Sequence, residues 1–173
     1  MLKNSNRTKA LTLAALMAAL ANILSIEALT IPLIIGPYTS KIHFTQLPIF
    51  ISAALAGPLA GMLTGAIGGL YMSYSVGIPF IVGGLAILGF SAGILAHRLK
   101  LRPMLSSIFA WCIQAPYVAV TDYVWFVYSR LMPSSVAMTV ITTILLNLTI
   151  EAIVASIIAT TVIHYVKRRG LFQ

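Results

Sequence analysis

The sequence predicts an all-α polytopic membrane protein, with six transmembrane helices and both termini cytoplasmic, and three observations carry that prediction. Apolar residues make up 60% of the chain and charged residues only 8%, too few polar side chains to cover a water-soluble globule. The apolar residues fall in long runs. Basic residues punctuate those runs: Lys3, Arg7 and Lys9 precede the first, Arg98, Lys100 and Arg102 separate two later ones, and Lys167, Arg168 and Arg169 follow the last.

A net charge of +8 would suggest a nucleic-acid partner in a soluble protein, where basic side chains gather on one face and displace counterions from phosphates. Here the spacing is the positive-inside pattern of a membrane protein, so the expected surroundings are a lipid bilayer, with no nucleic acid. The 173 residues leave room for a single integral membrane domain and no separate catalytic module. Cys112 is the one cysteine, which excludes an intrachain disulfide or a cysteine-based metal site. The basic start and first apolar run could be read as a cleaved signal. Its small residues suit helix packing, so it is kept as the first helix.

Helix 1 is expected over residues 8–28, long enough to cross a core of about 30 Å at about 1.5 Å per residue. Pro32, Gly36, Pro37 and the polar residues 38–41 then form an outer loop, residues 29–43, whose length marks it as functional. Residues 44–72 carry no charge and read either as one span or as two short helices broken at Gly57-Pro58. Parity favours the hairpin, which keeps the basic clusters on one side of the membrane. Each arm is then only about 21 Å long at the helical rise, and needs protein cover at its ends. An outer connection over 73–79, helix 4 over 80–96, helix 5 from Pro103 to residue 128 and helix 6 over 135–166 complete the count. Pro116 should kink helix 5. With this topology only Lys41 and Arg130 of the 11 Lys and Arg residues lie outside.

Gly57, Gly61, Gly65 and Gly69 recur every four residues, as do Gly89 and Gly93, and such spacing lets helices approach backbone to backbone. Helix 1 carries Ala10, Ala14 and Ala18, with Ala15 and Ala19 beside them. This small-residue face suits either internal packing or docking onto another membrane protein.

Three acidic residues are present, Glu27, Asp122 and Glu151. Glu151 lies well inside helix 6, where a carboxylate facing lipid costs about 2.5 to 3.5 kcal/mol, so it should face protein or water. Asn147, Thr143 and Thr139 precede it at intervals of four and extend a polar stripe along the helix. Helix 5 carries Gln114, Tyr117, Thr121, Trp125 and Tyr128, with Asp122 near the outer end. Facing stripes of this kind would line a cleft with amides, aromatic faces and a carboxylate, which suits a small flat heterocycle. Trp125 and Tyr128 also fit an interfacial aromatic belt, and Tyr71 and Tyr74 border the second outer connection in the same way. Asp122 could instead be solvated or paired with Arg130, and Glu27 should meet water. His43 and His164 sit at span ends. No metal-ligand spacing, nucleotide loop or nucleophile motif is present, so no cofactor, metal or enzymatic activity is expected.

The six-span plan, the alanine-rich first helix and the stretch from Leu47-Pro48-Ile49-Phe50 to Gly57-Pro58-Leu59-Ala60-Gly61 together resemble the substrate-binding S component of an energy-coupling factor (ECF) transporter. The resemblance implies a plasma-membrane protein that captures a vitamin or precursor, such as a thiamine-, pyrimidine- or pyridoxine-like ring. It also implies docking through Ala10, Ala14 and Ala18 onto a transmembrane coupling subunit driven by two cytoplasmic ATPases. The substrate cavity would be closed by loops near 29–43, 73–79 and 129–135, with Glu151, Asn147, Gln114, Tyr117, Thr143, Asp122, Trp125 and Tyr74 as candidate binding residues. Gly68-Gly69-Leu70 departs from members that place an acidic residue after the glycine. The competing expectations are a standalone proton-coupled carrier using Glu151 and a membrane assembly protein without a ligand.

Overall fold

The computed structural model describes residues 2–26, 31–35 and 38–169. Among them the order is α1 (Leu2–Leu24), β1 (Ile31–Ile35), β2 (Tyr38–Ile42), α2 (Gln46–Ala56), α3 (Pro58–Gly68), α4 (Leu70–Val76), α5 (Ile81–His97), α6 (Pro103–Val124) and α7 (Ser134–Arg168). A π-helical turn, Trp125–Ser129, extends α6. Three helical stretches are long and apolar enough to cross a membrane: Arg7–Leu24, Pro103–Ser129 and Ser134–Arg168. Helices α2 and α5 are apolar but shorter.

The outer loop expected after helix 1 is more ordered than a purely helical reading allows. Strands β1 and β2 pair antiparallel, with Ile31 opposite Ile42 and Ile35 opposite Tyr38. The β-branched residues Ile31, Ile34 and Ile35 favour this extended pairing over a helix. Helix 1 also begins earlier than expected, at Leu2. Glu27 lies outside the described residues.

The break at Gly57-Pro58 is a reversal. Gly57 has φ 93°, a conformation open to glycine, and Pro58 starts α3 where its missing N–H costs nothing. The Thr64 hydroxyl donates to Ser52 Oγ at 2.8 Å, although twelve residues of continuous helix would separate them by about 18 Å. The two arms therefore fold back on each other. Beyond them, α3 passes through Gly69 into α4. Asn22 of α1 secures that junction, donating to Ile67 O at 2.9 Å and accepting from the Tyr71 N–H at 3.0 Å.

The expected glycine faces meet. A Cβ on Gly61 would strike the backbone of Gly89, one on Gly65 the backbone of Leu85, and one on Gly93 the backbone of Pro58. Helices α3 and α5 thus touch main chain to main chain. Helix α2 lies at the centre, packed against α1, α3, α5 and α7, and its Ile49, Phe50, Ile51, Ala53 and Ala54 join Leu85, Leu88, Ala92, Trp111, Ala152 and Ala155 in the apolar core. Its shortness is covered on every side by protein, as backbone in a bilayer requires.

On α1, of the two expectations for the alanine face, the structure favours internal packing over docking at Ala14 and Ala18. Ala14 and Ala18 are buried within the chain, Ala18 at 1% exposure, because Gly68 of α3 admits this face of α1: a Cβ there would come within 2.6 Å of Ala21 Cβ. Ala10 is half-buried, whereas Ala15 and Ala19 are exposed. Ala14 and Ala18 are therefore internal packing residues. The outward small residues lie one position further along.

Candidate functional site

The ends of α1, α4 and α6 and the starts of α2, α5 and α7 gather at one end of the bundle, opposite the end flanked by the basic clusters. In this half lies a cavity of about 340 Å³. Helix α6 contributes Gln114, Val118, Thr121 and Asp122, α7 contributes Ile144, Asn147 and Leu148, and Ile81, Gly84 and Leu85 come from α5. The connection through α4 adds Met72, Ser75, Val76, Ile78 and Phe80, and His43 enters from the segment before α2.

The walls are mainly apolar, and a few polar groups converge on them. Gln114, Asp122 and Asn147 are all buried. Gln114 Oε1 has no hydrogen-bond partner among the described residues, unusual for a buried carbonyl, and it is open to a donor from outside the chain. Thr121 donates its hydroxyl to Tyr117 O at 2.8 Å, leaving its oxygen able to accept. Among the described residues no cluster of His, Cys, Asp or Glu could hold a metal ion. The donor set is suited to an organic ring with a polar edge and hydroxyl substituents.

The structure brings together three of the expected site residues, Gln114, Asn147 and Asp122. The other five lie elsewhere. Tyr117 packs its ring into the notch at Gly83 and Gly84 and donates to Phe80 O at 3.4 Å; it braces the start of α5. Trp125 stands behind the cavity-lining Phe80, edge to face at 6.0 Å, with the Arg130 guanidinium 5.9 Å from its ring. The π-helical turn begins at Trp125, so the regular spacing that placed Trp125 and Tyr128 on one stripe ends there. Arg130 is thereby engaged by an aromatic face instead of Asp122.

Thr143 donates its hydroxyl to Thr139 O at 3.0 Å, back-bonding within its own helix, and Ile144 takes its place on the wall. Tyr74 is 88% exposed because α4 turns it outward, while its neighbours Met72, Ser75 and Val76 border the cavity. Glu151 is only 1% exposed and lies one turn beyond the cavity. Its carboxylate accepts the Gln46 N–H at 3.1 Å, a partner more than a hundred residues away that helical periodicity could not reveal. Sequence reading also missed His43, Ser75 and Phe80, whose positions depend on how the loops fold back.

Helices long and apolar enough to cross a membrane thus surround an apolar, sparsely polar cavity at the end where the loops gather. The chain matches, over residues 5–168, the family model described as ECF-type riboflavin transporter, S component, and it belongs to that family. This is a family of transporter components, not of enzymes; its S components bind substrate and pair with a membrane coupling subunit and ATPases. Among solved structures the chain is similar in fold to one reported as "Structure and mechanism of the S component of a bacterial ECF transporter". The TM-score is 0.55 at 17% identity, over 95% of this chain and 96% of that one. No curated protein matches the chain.

Proposed function

We propose that this chain is a six-span S component of the plasma membrane, with both termini cytoplasmic, that captures riboflavin from outside the cell. The observation that carries the reading is the pair of buried carboxamides, Gln114 and Asn147, in an otherwise apolar cavity. Riboflavin has a flat, uncharged ring system with an imide edge, one N–H between two carbonyls, and a tail of hydroxyls. A carboxamide carries both donor and acceptor groups, and Gln114 Oε1 has no hydrogen-bond partner among the described residues. The walls of Phe80, Ile81, Leu85, Ile144 and Leu148 suit the ring faces. Asp122, Ser75, Thr121 and His43 suit the hydroxyl tail. The cavity volume falls at the small end of the range of about 300 to 1,000 Å³ for ligand sites, and the name of the matching family points to the same substrate.

Thiamine-, pyrimidine- and pyridoxine-like rings are the competing substrates. Titration of riboflavin with the protein purified in mild detergent should quench the flavin fluorescence at one molecule per chain, with a Kd below about 1 μM. No quenching, together with thermal stabilisation by thiamine or pyridoxine, would overturn riboflavin and leave the cavity to the other ring.

Energy for uptake is proposed to come from two cytoplasmic ATPases through a transmembrane coupling subunit. The outward face of α1 is proposed as the docking surface: Leu11, Leu16 and Ile23 are exposed, with the small residues Ala15 and Ala19 between them. An A15L/A19L double variant should lose at least about tenfold of its co-purification with the coupling subunit while binding riboflavin as before. Undiminished co-purification would move the docking surface elsewhere. The family match favours this reading over a standalone proton-coupled carrier.

A further inference from the structure

We propose that Glu151 is a positioning residue: it caps the buried start of α2 and so holds the first outer segment against the substrate cavity. The link to substrate rests on the reading of the cavity given above; the cap itself does not.

The first N–H groups of a helix have no partner within it, and they are usually satisfied by a side chain at the cap position. Helix α2 has Thr45 there, and no side-chain cap hydrogen bond is made. The missing acceptor comes from another helix. Glu151 of α7 takes the Gln46 N–H at 3.1 Å.

Two further bonds fasten the same point. Gln46 Nε2 donates to Leu148 O at 3.3 Å, and the Thr45 and Ser25 hydroxyls lie 2.9 Å apart. The start of α2 is therefore pinned to α7 on one side and to the end of α1 on the other. His43, a wall of the cavity, stands two residues before Thr45. Strand β2, which packs on α7, ends immediately before His43, at Ile42. Losing the Glu151 acceptor would weaken the anchoring of the segment that carries His43 to the cavity, without removing any of Gln114, Asp122 or Asn147.

Three variants of the full chain in detergent test this: Glu151→Ala, Glu151→Gln and Glu151→Asp. A cap needs an acceptor oxygen at the right reach. Glutamine keeps that oxygen, alanine removes it, and aspartate keeps the charge but falls one methylene short. Hydrogen exchange at the Gln46 amide, measured without ligand, should accelerate about tenfold in Glu151→Ala, the loss of one buried hydrogen bond. It should rise several-fold in Glu151→Asp and stay within about threefold in Glu151→Gln. Riboflavin dissociation should follow the same order. A carboxylate that acts by its charge or by touching the ligand predicts the reverse, with aspartate tolerated and glutamine not; that order overturns the proposal, as does unchanged exchange in every variant. Should Glu151→Ala fail to fold, the aspartate and glutamine pair still decides. Because exchange is read without ligand, failure of the cap and failure of riboflavin as substrate remain distinguishable.

Discussion

Replacing Gly89 by alanine is expected to lower the melting temperature of the detergent-solubilised protein by about 2 to 12 °C, and replacing it by leucine to abolish monodisperse protein. A Cβ at Gly89 meets the carbonyl of Gly61, with Ile49 Cγ2 3.0 Å away on the other side. The obstruction on α3 is backbone, which cannot rotate aside as a side chain can, so α3 and α5 must separate. Overpacking of this kind costs about 1 to 3 kcal/mol, and each kcal/mol corresponds to about 2 to 4 °C in a chain of this size. The A15L/A19L variant on the outward face of α1 is the control and should melt within about 1 °C of the parent. Thermal scanning by size-exclusion fluorescence reads both. An unchanged melting temperature for Gly89→Ala would mean that the α3–α5 contact is looser than described.

The second large effect is expected at the two carboxamides. Gln114→Leu and Asn147→Leu should each raise the Kd for riboflavin about 10- to 100-fold with little change in melting temperature. Each variant leaves polar groups of the ring edge without partners in a buried site, at about 1 to 3 kcal/mol, and about 1.4 kcal/mol is a factor of ten. Thr143→Val is the matched control. Its hydroxyl serves Thr139 O within the helix, so affinity should stay within about twofold. Fluorescence titration measures all three, and a Gln114→Leu variant that binds as tightly as the parent would remove that amide from the recognition of the ring.

The membrane class, the existence of the long helices, the reversal at Gly57-Pro58 and the glycine faces of α3 and α5 were legible in the residue order. Each depends on local properties: apolar run length, a backbone conformation open to glycine, and a spacing of four that stays on one helical face. That Gln114, Asp122 and Asn147 turn away from lipid was legible for a related reason, since a polar group deep in an apolar helix must turn toward protein or solvent. The remaining assignments depended on distant partners. Periodicity put Glu151 on the inward side, but the amide of Gln46 took its carboxylate. It grouped Trp125 with Gln114, but Phe80 takes the position on the cavity and Trp125 packs against it edge to face. It left the face of Ala14 and Ala18 open to packing or docking, and the resemblance implied docking, but Gly68 of α3 drew that face inward. Along one helix the sequence specifies which side is polar or small; which neighbour meets that side is decided by the rotation and depth at which the helices pack, and those are set jointly by side chains far apart in the chain.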